Sequence, residues 1–500
     1  MKLRPLLPLL VFLAAVRTFA ADPPSPPPNI VWIIAEDMSP HFSCYGEKAI
    51  STPNVDALAA QGTRFSRAFV TAPICSISRS ALITGCYQTT LGCQNHRSSS
   101  AKFPITLPDG IRPVPQLLKQ AGYHTCNITF DEFMHAGGAA KIAKTDYNFV
   151  WDPAATYSPM NWAVRQAGQP FFVQIQLNGG KYRGQAPGPA WPEKVRSTLG
   201  SITSPAQVTL PPYLPDDETI RADWAQYLDT VRYTDWEVGR IVQHLRDAGE
   251  LDRTILIFLT DHGISHVRHK QFLYDGGIHV PLIVRGPGIP AGRVRHDLVE
   301  HIDITAATLA LARLPLPAPL QGRDFLAANP NPREFIFAAR DRADETVDRI
   351  RCVRSAGFKY LRNFYPTRPY LQPNRYKDEK AIVQTMRRLH AAGRLHADQA
   401  LIMAETRPRE ELYDLTADPF ELHNLATDPA HTTTLTRHRQ ALEDWMLRTD
   451  DKGRTPEPEE IYLNYLTDER PENGRNARNQ IFENNIQRML RWTSEKPMQP

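Results

Sequence analysis

Cysteine is scarce in this chain: six in 500 residues, at positions 44, 75, 86, 93, 126 and 352. No two are spaced Cys-x-x-Cys and none falls into a zinc-ligand pattern, so no zinc module is encoded. An exported chain could still form a disulfide or two. Cys86 and Cys93 are the nearest pair, although spacing alone fixes no pairing. An excess of charge of one sign is also missing. Lys and Arg outnumber Asp and Glu by 58 to 54, and a net charge of +4 is too small to argue for a nucleic-acid partner. Long apolar runs are absent beyond the N-terminus, so no integral membrane span is expected there. No internal repeat is visible.

Proline, in contrast, is abundant. The 43 prolines sit in stretches such as "LPPYLPDD" and "PLPAPLQG" and predict a loop-rich body. Hydrophobic residues make up 42%, enough for a substantial core, and the length suits one large α/β unit with an appendage. At the start, Lys2 and Arg4 precede "LLPLLVFLAAV", and small residues surround Ala20 and Ala21. That pattern predicts a secretory signal over residues 1–21 and a periplasmic or secreted protein. Arg17, close to the cleavage point, keeps an uncleaved anchor as the alternative. "DPPSPPP", residues 22–28, reads as a stiff linker.

Several short apolar runs then alternate with helical patterns. "NIVWIIAED" reads as a buried parallel strand with Glu36 and Asp37 at its carboxyl end. "TPNVDALAAQG" reads as a helix with Thr52 as N-cap, Pro53 at the first helical position and Gly62 as the stop. "PFFVQIQL", "RTILIFLT" and "VPLIV" are further strands, the second ending at Asp261-His262-Gly263. The segment from Asp217 to Leu251 reads as one long amphipathic helix or two, with Gly249 near its end, and "DITAATLALARL" as another helix. The pattern predicts an α/β fold: a mostly parallel sheet with helices on both faces. We place the catalytic domain over residues 29–350 and a smaller α+β C-terminal subdomain over 351–500.

Ligands bind beyond the carboxyl ends of such strands. Two strands deliver acids to that edge, Glu36/Asp37 and Asp261/His262. Acids there can cap following helices, or gather around a hard divalent cation that prefers oxygen donors. Cys75, in "APICSISRSALITG", stands at a predicted helix start, where the dipole and free N–H groups favour negative charge. Arg79 lies one turn on, on the same face. Such a place would lower a thiol pKa. A structural buried cysteine is the alternative.

"CSISRSALITG" resembles the signature of the type I, formylglycine-dependent sulfatases, matched or nearly matched at Cys75, Ser78, Arg79, Leu82, Thr84 and Gly85. "NIVWIIAEDM" and "TDHGISHVRHKQFLYDGGIHVPLIVRGPG" resemble the two metal segments of that family, and "ELYDLTADPFELHNLA" its C-terminal motif. "KTDYNF" and "GGK" resemble the heparan N-sulfatase-like branch. The resemblance covers about residues 29–427 and implies an alkaline-phosphatase-like fold. It further implies that a formylglycine-generating maturation enzyme oxidises Cys75 to an aldehyde. The hydrate of that aldehyde would attack the sulfur of a sulfate ester or sulfamate on a sulfated carbohydrate or glycosaminoglycan. On this resemblance Glu36, Asp37, Asp261, His262 and the modified Cys75 fall on the calcium positions. Arg79 falls on the arginine that holds the hydrate, and Lys270 and Lys144 on the lysines that grip sulfate. Lys181 stands where the family has a His that is a candidate general acid. His96 and Arg97 follow closely enough to reach the pocket rim as substrate contacts. The chain departs from the family pattern at several points. Ile77 replaces a Pro or Ala, Cys86 an Arg, Glu36 an Asp, His262 an Asn and Asp146 a His. Two other readings stay open: a phosphodiesterase or phosphonate hydrolase of the same superfamily, and a non-catalytic sulfoglycan-binding protein with Cys75 unmodified.

Overall fold

The computed structural model describes residues 26–135, 137–184, 191–469 and 477–492. The expected signal peptide, and all of the linker ahead of Pro26, lie outside the described residues. Eight strands make the larger sheet: β1 Asn29–Ala35, β2 Thr63–Phe69, β3 His124–Thr129, β4 Phe171–Leu177, β5 Thr254–Thr260, β6 His279–Arg285, β7 Arg293–Arg295 and β8 Val299–Glu300. Their spatial order is β3-β4-β1-β5-β6-β2-β7, with β8 also on β2. The β3/β4, β4/β1 and β1/β5 pairs are parallel, whereas β6 runs antiparallel to both β5 and β2.

Every residue of β1, β4 and β5 is buried, as continuous apolar strands covered on both faces must be. Each large apolar side chain so enclosed contributes about 1.5–3 kcal/mol. Where a polar atom enters this core it finds a partner: Trp32 Nε1 donates to Thr308 Oγ1 at 3.1 Å. Thr308 belongs to the Ile302–Leu311 helix, which the sequence pattern anticipates. The helix expected after Thr52 spans Pro53–Ala60. The long amphipathic segment is one continuous helix, Glu218–Asp247, opened by Asp217, whose carboxylate accepts from the Thr219 N–H.

A second, antiparallel sheet follows in the order β12-β11-β10-β9, built from β9 Ile336–Arg340, β10 Ile350–Arg354, β11 Phe358–Asn363 and β12 Glu410–Asp414. It takes in residues ahead of position 350. The two sheets are joined through the backbone, Ala339 N–H donating to Thr71 O at 2.9 Å. The Thr432–Arg448 helix seals the junction, with Trp445 stacked on Phe337 and edge-on to Tyr87. Buried Arg351 ties in the C-terminal segment by pairing with Asp341 and Asp451. Among the described residues no helix is long and apolar enough to cross a membrane. All six cysteines are free thiols, so the Cys86–Cys93 pairing does not form. Their sulfurs face different backbone acceptors, Pro319 O for Cys86 and Asn148 O for Cys93.

Candidate active site

Strand order builds the site. β1 and β5 are parallel neighbours with Ala35 opposite Thr260, so Glu36/Asp37 and Asp261/His262 emerge side by side. The Asp37 N–H donates to Asp261 Oδ1 at 3.0 Å, and the Met38 N–H to the His262 carbonyl at 3.1 Å. Asp37 adopts a left-handed φ of 52°, which turns the chain out of the strand. On the other side of β1, β4 runs out into Asn178-Gly179-Gly180-Lys181. The Gly180 N–H donates to Glu36 O at 2.8 Å. A Cβ on Gly180 would lie 2.2 Å from the Asp37 carbonyl oxygen, and one on Gly179 2.3 Å from that of Glu36. Only glycine allows this approach. It brings the Lys181 ammonium onto Glu36 Oε2.

The Cys75–Thr84 helix approaches from below, with all ten residues buried. Ser78 Oγ donates to the Asp261 carbonyl at 2.5 Å and pins the helix to the end of β5. Cys75 therefore sits in the first turn at the strand ends. Its sulfur is 3.1 Å from His262 Nε2, 3.3 Å from Lys270 Nζ and 4.0 Å from Lys181 Nζ. Arg79 lies one turn on, its Nε and Nη2 donating to Asp261 Oδ2 at 3.2 and 3.1 Å. Its Nη1 donates to Gln176 Oε1 at 2.7 Å. Lys270 Nζ bridges both oxygens of Asp37 at 3.0 and 3.1 Å. Lys144 Nζ meets Glu36 Oε2 at 2.6 Å.

The electrostatics single out one thiol. Burial pushes up Cys44, Cys86, Cys126 and Cys352, to about 12, 11, 12 and 12, and Cys93 rises as well. Cys75 is as deeply placed, and burial opposes its thiolate too. Lys144, Lys181, Lys270 and His262 outweigh that cost and bring it down to about 6. The carboxylates behave alike. Burial raises Asp37, Glu36 and Asp261, yet their cationic neighbours leave all three below the ordinary range: Lys270 foremost for Asp37, Arg79 for Glu36 and His262 for Asp261. His262 loses to burial but is raised by Asp261 and Cys75.

One oxygen each from Asp37 and Asp261, His262 Nε2 and Cys75 Sγ all lie within 4.8 Å of one another, and all four residues are buried. The two converging carboxylates suit a hard divalent cation, whereas the Cys75 thiol and the His262 imidazole are softer donors, so the set fits calcium only with an oxygen in place of the Cys75 sulfur. Glu36 stands beside that quartet, engaged by Lys144, Lys181 and, at 3.7 Å, Arg79. His96 is buried behind the nucleophile helix, with Nδ1 2.7 Å from Ser76 Oγ and Nε2 3.5 Å from Asp344 Oδ1. Arg97 is half-exposed and pairs with Asp146 at 3.2 Å. Two participants carry no sequence signal. Tyr376 OH donates to Asp37 Oδ2 at 3.0 Å, from a segment some 340 residues away in the chain. Gln176 reads as an ordinary strand residue, yet it holds Arg79 and donates to Asn127 Oδ1 at 2.8 Å.

The sulfatase family profile matches residues 28–314, and the profile of the N-sulphoglucosamine sulphohydrolase C-terminal region matches residues 262–378. An ulvan-active sulfatase of Formosa agariphila is 30% identical over 475 residues, covering 87% of this chain and 77% of that protein. The human N-sulphoglucosamine sulphohydrolase is 29% identical over 470 residues, covering 85% and 91%. A structure solved with its substrate D-glucosamine-2-N,6-O-disulfate superposes with a TM-score of 0.57 at 19% identity, over 85% of this chain and 98% of its own. A phosphonate monoester hydrolase from Silicibacter pomeroyi shares the fold at a TM-score of 0.55 and 20% identity, over 85% and 96%. The architecture is alkaline-phosphatase-like.

Proposed function

The chain belongs to the sulfatase family and is a sulfuric ester hydrolase, and from that premise we propose that it is an exported, calcium-dependent enzyme that removes sulfate from sulfated carbohydrates or glycosaminoglycans, as ester or sulfamate, with a nucleophile made from Cys75. The relatives named for ulvan and for N-sulphoglucosamine support the substrate class. One observation carries the reading. Of six thiols, only Cys75 is drawn towards its anion, and it is the one that joins Asp37, Asp261 and His262 in the buried quartet.

Calcium held by Asp37, Asp261 and His262, together with formylglycine made from Cys75, would supply Lewis acidity and an oxygen nucleophile. The chain's own groups do the rest. Lys270 and Lys181 flank the Cys75 side chain and are placed to bind sulfate oxygens. Their charge opposes the negative charge that spreads over those oxygens as the ester bond breaks. Arg79 is fixed by Asp261 and Gln176 and orients the nucleophile from one turn below. Lys144 balances Glu36, which would otherwise repel the anionic substrate. Lys181 keeps its proton firmly, because Cys75, Asp37 and Glu36 outweigh the cost of burial, so where the family has a histidine it would act as a sulfate clamp rather than as the proton donor. Glu36 completes the carboxylate wall, and His96 holds the Ser76 hydroxyl. Ile77 packs with Ala72, Ile74 and Ala343, so a larger aliphatic residue than Pro or Ala is accommodated in the fold.

The test is chemical. Trypsin releases Ala68–Arg79 from protein made in its native host. An aldehyde at position 75, together with sulfate release from sulfated saccharides, is the expected result. An intact thiol in every copy refutes the nucleophile and leaves a sulfoglycan-binding protein.

A further inference from the structure

Next to the candidate site, a second set of basic groups has fewer anions than cations around it. Tyr376, whose hydroxyl donates to Asp37, carries an ammonium over its ring from each of two directions in the chain. Lys270 Nζ is 4.7 Å and Lys380 Nζ 4.4 Å from the ring centroid. The two ammonium groups are thus no more than about 9 Å apart. Lys270 is accounted for by Asp37 and Cys75. Lys380 is half-buried, and among the described residues no carboxylate lies within ion-pair distance of it. Behind it, Lys377 is 1% exposed and meets only a neutral acceptor, the His266 carbonyl, at 2.6 Å. Burial pushes Lys377 well below the usual lysine range, so it adds little charge. Arg183, two residues after Lys181, shares Asp223 with His266, and Asp37, already held by Lys270 and Tyr376, acts on Lys380 from farther off, so Arg183 and Lys380 have Asp223 as their nearest uncommitted carboxylate. Burial and the charge of Arg183 pull Lys380 down to about 8, which is what an unpaired ammonium among cations shows. Buried charge is normally paired, so a surplus beside a substrate site marks a place for a charge the substrate brings.

The geometry points to an anionic subsite formed by Lys380 and Arg183, which binds a second sulfate or a carboxylate on the saccharide whose scissile sulfate lies between Lys270 and Lys181. This rests on the proposed function and narrows it to polyanionic saccharides. An anion held there would sit across Tyr376 from the reacting group, at a spacing compatible with two substituents of one sugar or of neighbouring sugars.

The test compares wild type with Lys380→Met, which keeps the stem of the side chain over the Tyr376 ring. Glucosamine N-sulfate and glucosamine N,6-O-disulfate serve as the pair of saccharides. Wild type is expected to prefer the disulfated sugar in kcat/KM. The variant should lose about tenfold on that sugar, through KM, and less than twofold on the monosulfated one. Equal losses on both sugars, or none, overturn the subsite. The same two sugars are also titrated calorimetrically into Cys75→Ala protein, which cannot turn them over. There a charge-dependent affinity that Lys380→Met removes supports the subsite even without turnover, and its absence overturns it. A failure of turnover in the mature wild type counts instead against the enzymatic reading.

Discussion

The contrast among the six thiols gives a prediction whose size can be worked out. Take the chain with Cys75 unmodified and free of metal, at pH 7, and treat it with a small alkylating reagent. Cys44 is the most exposed cysteine, yet burial and Asp56 raise it to about 12, whereas Cys75 is at about 6. The thiolate fractions then differ by about 10⁵. A low-pKa thiolate is the weaker nucleophile, and a Brønsted slope of about 0.4–0.5 over this difference returns about 10³. Cys75 is left ahead by about a hundredfold, less whatever its burial costs in access. Peptide mapping after partial alkylation should find the label in Ala68–Arg79 first, with a rate that rises through a midpoint near pH 6. Replacing Lys270 by Met removes an ammonium 3.3 Å from the sulfur. At an effective dielectric constant of about 20 that interaction is worth about 5 kcal/mol. Lys181 and Lys144 can recover part of it, so the midpoint should rise by at least about one unit. The linked stability has a definite sign. A thiol whose pKa falls on folding stabilises the native state above its unfolded value of 9.0, and that contribution is lost as pH falls through about 6. It amounts to at most about 4 kcal/mol. Label appearing first at Cys44, or a midpoint that ignores Lys270, would refute the electrostatic account of the site.

Other expectations concern the frame and the ion. Gly180→Ala places a Cβ on the Asp37 carbonyl, so it should cost about 1–3 kcal/mol in urea unfolding and remove most activity by displacing Lys181 and Asp37. Arg79→Lys loses the two-pronged contact with Asp261 and the bond to Gln176, so kcat should fall about 10²-fold or more while the circular dichroism spectrum is kept. Chelation should abolish sulfate release and calcium should restore it. Calcium should also raise the Tm of wild type but not of Asp37→Asn, which calorimetry reads without any turnover. Arg351→Met strands buried Asp341 and Asp451, and a loss of about 3–5 kcal/mol is expected in thermal unfolding.

Much of this was legible in the residues. Uncharged β-branched runs that stop abruptly at acids marked β1 and β5, because a strand covered on both faces has no room for a charge until it leaves the sheet. Cys75 and Arg79 were legible together, since four residues make one turn. The parting of Glu36 from Asp37 was not. Consecutive residues leave a strand on opposite sides, and the left-handed turn at Asp37 decides which carboxylate joins Asp261. Tyr376 was invisible for a different reason. It lies in the single-turn Arg375–Asp378 helix, too short to show a period, and its role exists only once the second sheet has docked. His96 shows the limit of proximity in sequence: it is close to the nucleophile helix, but its ring turns to Ser76 and Asp344 rather than to the strand ends.

The place of β1 has a consequence for how the protein is made. Among the described residues it is the first strand in chain order, and it ends in the middle of the sheet. The contacts that Asn29 makes to Phe171 and Thr254 span 142 and 225 residues. At a synthesis rate of about 5–20 residues per second, the second partner arrives some 10–45 seconds after the strand itself. For that interval "NIVWIIA", uncharged and without proline, has both edges open and is a ready template for aggregation. For the same interval Cys75, later enclosed by the strand ends, is still accessible from solution. A chain of this topology therefore gains from a holding chaperone that keeps β1 from pairing with other chains until residue 254 has been made.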